Sequence, residues 1–101
     1  MLRIYGVILR VVRELVPVLE QIEAKDRSLG QQMRDAMSSM VLNTGEGMGS
    51  FGGTRRARYR SACGSAKETR ACLDAAEAFG YAKAPETELP LVINTLYKLA
   101  R

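Results

Sequence analysis

The sequence predicts an all-α protein: one domain over residues 1–101, folded as an antiparallel up-down four-helix bundle. Three observations carry that prediction. Apolar residues recur at three- and four-residue steps through most of the chain, the period of a helix with one buried stripe. No stretch alternates apolar and polar residues as a half-buried strand does. The breaks between periodic segments are short, which sets neighbouring helices side by side in opposite directions. The expected helices cover residues 2–24, 28–49, 54–79 and 87–100.

In the first helix Ile4, Ile8, Val11, Leu15, Val18, Leu19 and Ile22 form the stripe. Pro17 lies inside it and removes one backbone donor, so a kink is expected there. "AKDRS" breaks the pattern, with Asp26 or Ser28 as the cap of the next helix. That helix presents Leu29, Met33, Ala36, Met37, Met40, Thr44 and Gly47 on one face. Its methionines read as adaptable gap-fillers of a core.

The third helix is expected to start at Thr54, a good N-cap, and to run to Phe79. Tyr59, Ala62, Ala66, Thr69, Leu73 and Ala76 make its apolar stripe. A second stripe (Ser61, Ser65, Glu68, Cys72, Ala75, Phe79) is mostly small, so this helix is expected to pack on two sides, against its own bundle and against something else, such as an oligomer partner. Gly80 is a candidate left-handed stop. "YAKAPETE" links to a last helix capped by Thr87, with Pro90 in its first turn, where a proline costs little. Leu91, Val92, Leu96, Tyr97 and Leu99 are its expected buried face.

The corner "GMGSFGGT", residues 47–54, spells G-x-G-x-x-G and nearly completes G-x-x-x-x-G-K-T. Both nucleotide loops need a strand before the glycines, and the second also needs a lysine where Gly53 stands. The residues before Gly47 have a helical period instead. The glycines therefore read as a tight corner between two helices.

Composition excludes several kinds of chemistry. The chain has no histidine, which removes His-based catalytic dyads and the usual zinc sites. Cys63 and Cys72 lie nine residues apart in one helix, on different faces, and do not suggest a disulfide. No catalytic residue, cofactor or metal site is expected, and the chain reads as a non-enzyme. Arg3, Arg10, Arg13 and Glu14 interrupt the apolar N-terminal run, so neither a membrane span nor a secretory leader is expected. Two unpaired thiols fit the cytoplasm.

The net charge is +4, and residues 31–60 hold five basic against two acidic side chains. Most of that excess is "RRARYR" at the start of the third helix. Arg56, Arg60 and Lys67 share a stripe there, with Arg70 beside it, whereas Arg55 and Arg58 fall elsewhere around the helix. A stripe of cations beside a helix N-terminus suits a nucleic-acid backbone. Arg55, Arg56, Arg58, Arg60 and Lys67 are the candidate nucleic-acid-binding residues. The alternative is a solvated helix face on a structural or protein-interaction subunit.

Two stretches also carry a family resemblance. "QMRDAMSSMVLNTGEG" resembles Q-L-R-R-A-x-x-S-I-P-x-N-I-A-E-G, and "GSAKETRACLDAAEAFGY" resembles G-S-L-x-E-x-x-x-x-L-x-x-A-x-x-x-G-Y. Both patterns are those of the four-helix-bundle family encoded by intervening sequences in 23S ribosomal RNA genes. That family is related to the accessory variability determinant of diversity-generating retroelements. The landmarks include Arg34, Asn43, Glu46, Gly47, Gly64, Ser65, Glu68, Leu73, Gly80 and Tyr81, and span about half the chain. Asp35 and Val41 depart from the pattern, where arginine and proline are usual.

The resemblance implies a subunit of a ring-like homo-oligomer, a pentamer, without catalytic activity. For the accessory relative it further implies nucleic-acid binding (RNA or DNA) and a reverse transcriptase as partner. Arg34, Asn43, Glu46 and Glu68 have a reading of their own as a structural polar network. A carboxylate set among small side chains needs a partner, and Arg34 is the candidate. Glu46 and Glu68 as metal ligands or as an acid–base pair would lack the Glu-x-x-His motifs of carboxylate-bridged bundles.

Overall fold

A computed structural model describes residues 2–101. It is all-helical: four helices, and no strand among the described residues. They are α1 (Arg3–Lys25), α2 (Arg27–Met48), α3 (Gly52–Ala78) and α4 (Leu89–Leu99). The body measures 42 × 22 × 17 Å, so its long axis is about the length of α3 at ~1.5 Å per residue.

All seven residues of the expected α1 stripe are buried, and each large aliphatic side chain so buried contributes about 1.5–3 kcal/mol. The helix continues through Pro17, which lies on the exposed side. The carbonyl that loses its donor there belongs to Arg13, itself exposed, so solvent can serve it. A single residue then turns the chain. The Asp26 N–H donates to the Ile22 carbonyl (2.8 Å) and closes α1, while its Oδ1 accepts from the Leu29 N–H (3.0 Å) and opens α2. Asp26, rather than Ser28, is the cap. The turn brings α2 hard against α1: a Cβ on Gly30 would stand 2.9 Å from the Glu23 Cα.

In α2 the buried residues are Gly30, Met33, Ala36, Met37, Met40, Thr44 and Gly47, with Leu29 partly covered. The Thr44 and Thr69 hydroxyls are buried but donate to the carbonyls of Met40 and Ser65, at 2.8 and 2.9 Å. The helix extends through Met48, so no strand feeds the glycine corner. Helix α3 starts earlier than expected. Phe51 stands at the cap position without a side-chain bond, Gly52 takes φ +56°, and Thr54 is already inside the first turn. Only glycine adopts that φ without strain, and it lets the chain reverse before a side-chain cap is needed.

The expected α3 stripe is buried throughout, together with Cys63 and Cys72, which are both free thiols. Its second, mostly small stripe is divided: Cys72 is in the core and Ser65 reaches α2, while Ser61, Glu68 and Phe79 are exposed. Helix α3 ends as the glycine predicts. Gly80 sits at φ +75°, the Tyr81 N–H donates to the Ala76 carbonyl (2.8 Å) and the Gly80 N–H to the Glu77 carbonyl (3.0 Å).

The linker is tied back at two points, Lys25 Nζ to the Tyr81 carbonyl (2.9 Å) and Arg10 to Glu88 (2.8 Å). Glu88 holds the cap position of α4, and the Thr87 hydroxyl accepts from the Leu89 N–H at 3.1 Å. The buried face of α4 differs from the expected one. Leu89, Val92, Ile93, Leu96 and Ala100 point inward, while Leu91 and Tyr97 are exposed. Apolar residues surround this short helix, so its sequence does not single out one stripe.

Pairwise contacts fix the topology. Glu23 meets Arg34, Tyr59 covers Gly47, Ser39 meets Ser65 and Cys63 meets Ile93. Gly47 meets Tyr59 and Ser39 meets Ser65, so α2 and α3 run antiparallel. Arg60 meets Ala100 and Cys63 meets Ile93, so α3 and α4 do too. Helix α2 turns back along the end of α1, where Glu23 meets both Gly30 and Arg34. Packing is α1 on α2, α2 on α3, α3 on α4 and α4 on α1, around one contiguous core.

Candidate nucleic-acid interface

Helix α3 decides where the basic side chains point. At ~100° per residue, Arg56, Arg60 and Lys67 fall within about 40° of one another, and Arg58 lies on the far side from Arg56. The structure divides the five candidate cations accordingly. Arg58 Nε is 3.0 Å from Glu46 Oε2, on the α2 side. Arg55 donates from Nε to the Ser50 carbonyl (2.7 Å), and its guanidinium covers the Phe51 ring at 5.5 Å. Those two are committed to the corner between α2 and α3.

Arg60 and Lys67 flank a cleft between α3 and α4, which is also lined by Gly64, Tyr97 and Arg101. Lys67 Nζ lies 5.9 Å and the Arg101 guanidinium 5.7 Å from the Tyr97 ring centroid, within cation–π range. Arg60 donates from Nη2 to the Ala100 carbonyl at 3.3 Å, pinning the end of α4 to α3. Cys63 lies beneath, with its Sγ 3.7 Å from the Ile93 carbonyl. Arg56 extends the stripe one turn toward the corner and is exposed. Among the described residues, Arg56, Arg60, Lys67 and Arg101 have no carboxylate partner.

The four polar residues do not meet as one network. Arg34 forms a bidentate pair with Glu23 of α1, Nε and Nη2 to the two carboxylate oxygens at 2.8 and 2.9 Å. The hydrogen bond from Arg34, and then its charge, hold the Glu23 carboxyl below its usual range. Asn43 Nδ2 donates to both the carbonyl and the Oγ of Ser39 (3.0 Å each), and the Ser65 hydroxyl meets Ser39 Oγ at 2.7 Å. Glu46 pairs with Arg58. Glu68 is exposed, and burial together with the Glu68 charge pushes the Cys72 thiol up, which keeps it protonated. Among the described residues no group of three or more His, Cys, Asp or Glu could hold a metal ion.

The cleft residues legible in the sequence were Arg60 and Lys67; Tyr97 and Arg101 were not. Tyr97 reads as core when it is grouped with Leu96. The signal that places it outside is Asn94, Tyr97, Lys98 and Arg101, four exposed residues at i, i+3, i+4 and i+7. Chemically, the cleft offers cations without an ion-pair partner beside an exposed aromatic side chain, and no Asp or Glu on its lining. It suits a polyanion that also carries flat rings.

Comparison of the chain with protein-family models, with curated proteins and with solved structures finds no match. Among the described residues no helix is long and apolar enough to cross a membrane.

Proposed function

We propose that this protein is a non-enzymatic, self-associating helical-bundle subunit that binds nucleic acid through the basic side of α3 where α4 meets it. One observation carries the reading: Arg60, Lys67 and Arg101 line one cleft together with the exposed ring of Tyr97, and none of them is paired with an Asp or Glu side chain. A phosphate backbone binds such a group by releasing its counterions. Arg56 lengthens the same stripe to about 16 Å along α3.

We also propose membership of the bundle family encoded by 23S ribosomal intervening sequences, and with it an accessory role in a cytoplasmic nucleoprotein complex, with a reverse transcriptase as the implied partner. Several positions of the resemblance have a packing role that supports it. Gly47 lies beneath Tyr59, Gly80 terminates α3, and Ser65 bonds across to α2. Support for self-association, a homopentameric ring in that family reading, comes from the other side of the bundle. There Leu9, Val12, Val16, Val41 and Leu42 line an open apolar groove between α1 and α2, and Leu42 is 63% exposed. The same groove favours a second reading, a protein-interaction subunit without nucleic acid.

Fluorescence anisotropy with a labelled RNA of mixed sequence tests the first reading. Binding is expected at low salt, with log affinity falling against log salt at a slope near −2, from about 0.7 per neutralised phosphate and three cations. No binding at low salt would leave the protein-interaction reading. Light scattering tests assembly, and a strictly monomeric mass at micromolar concentration would contradict self-association.

A further inference from the structure

We infer that the nucleic acid taken by the α3/α4 cleft is single-stranded, with an unpaired base stacked on Tyr97 and its neighbouring phosphates held by Arg60, Lys67 and Arg101. This rests on the nucleic-acid reading above and names the substrate class of that site. Tyr97 is 57% exposed, even with two cations against its ring. Much of that aromatic surface is free to meet a ligand. A base has a flat π-face of matching chemistry, and stacking on an aromatic side chain tolerates any base.

The shape of the site decides between single and double strands. A duplex buries its base faces in its own stack and is read by an element that protrudes into a groove. Here the aromatic ring stands at a recess between two helices, with Lys67 and Arg101 beside it. A recess cannot enter a groove, and a ring within it reaches base faces only where they are unpaired. Arg60 and Lys67 stand about 10 Å apart along α3, a span that the successive phosphates of a short single strand can cover. The planar Arg101 guanidinium either stacks on the far side of the base or turns to a phosphate, and both contacts favour the same ligand.

The test compares one labelled RNA strand with the same strand annealed to its complement, at equal low salt, for wild type, Tyr97→Ala and Tyr97→Phe. The single strand is expected to bind more tightly than the duplex. Tyr97→Ala should weaken single-strand binding about tenfold or more, Tyr97→Phe should retain it, and duplex binding should respond to neither. Tyr97 is on the surface, so circular dichroism should show both variants folded as wild type. Single-strand affinity unchanged in Tyr97→Ala, or equal affinity for duplex and single strand, would overturn the inference and leave nucleic-acid binding in place. Absence of binding to either form would overturn both.

Discussion

Tyr59 of α3 lies across Gly47 of α2 so closely that a Cβ on the glycine would stand 2.5 Å from the ring. The bare backbone at residue 47 is what allows the end of α2 and the start of α3 to meet. Both residues are buried, so the ring has little room to retreat. Gly47→Ala should therefore destabilise the fold by about 1–3 kcal/mol, the usual cost of overpacking. Gly6→Ala in α1, where a Cβ meets nothing within 4 Å, should stabilise it by about 0.5–1 kcal/mol. Urea denaturation of the two variants checks both signs.

The stop of α3 depends on a different property of glycine. Gly80 is held at φ +75°, a conformation that costs an L-residue roughly 1–2 kcal/mol. Gly80→Ala should lose about 1 kcal/mol in thermal or urea unfolding. Gly80→Asn should lose less, since asparagine tolerates that region better than alanine does. Equal stability of all three proteins would contradict the assigned helix stop.

Acid should act on the Glu23–Arg34 pair. The folded-state carboxyl of Glu23 is held below the ordinary 4.5 by its bonds to Arg34. Stability from a depressed carboxyl is fully present above the unfolded-state value and is lost as pH falls through the folded one. The contribution should thus be constant above about pH 5 and should fade progressively below 4.5. Glu23→Gln should lower the neutral plateau of a stability–pH curve slightly, because the pair is partly exposed, and should flatten the acid limb by that same amount.

The seam between α2 and α3 is polar at one level, where Ser65, Ser39 and Asn43 are linked hydroxyl to hydroxyl to amide. Ser39→Ala removes a partner from both neighbours and should cost more than Ser65→Ala, with about 1 kcal/mol for each hydrogen bond lost. A double-mutant cycle between residues 39 and 65 should show coupling above experimental error. Strict additivity would mean that the 2.7 Å contact contributes nothing to stability.

How far these features are legible in the sequence depends on how local they are. The α1 stripe is readable residue by residue because its seven apolar residues keep mostly three- and four-residue steps over the whole helix, even though Leu9, Val12 and Val16 make another face apolar too. The stop at Gly80 is readable because one residue carries it. Thr54 misleads because Gly52, by taking a positive φ, starts α3 before a side-chain cap is required. The inward face of α4 is obscured by Leu91 and Tyr97, apolar residues on the outside of a short helix. Arg34 finds Glu23 on α1, a pairing set by how closely Gly30 lets two helices approach. The candidate interface shows the same division. Arg60 and Lys67 share a stripe that any helical wheel displays, but Tyr97 and Arg101 join them from a separate helix through the packing of α4 on α3.

The most direct test of the interface removes charge from one side of α3 and then from the other, reading RNA affinity across a salt series. Arg60→Ala with Lys67→Ala should weaken binding and flatten the dependence of log affinity on log salt by about 1 to 2, since each lost phosphate contact reduces the slope by roughly 0.7–0.9. Arg58→Ala removes the same kind of charge from the α2 side and should leave the slope nearly unchanged. Equal effects of the two sets of substitutions, or an unaltered slope in the Arg60/Lys67 double variant, would contradict nucleic-acid binding at the α3/α4 cleft.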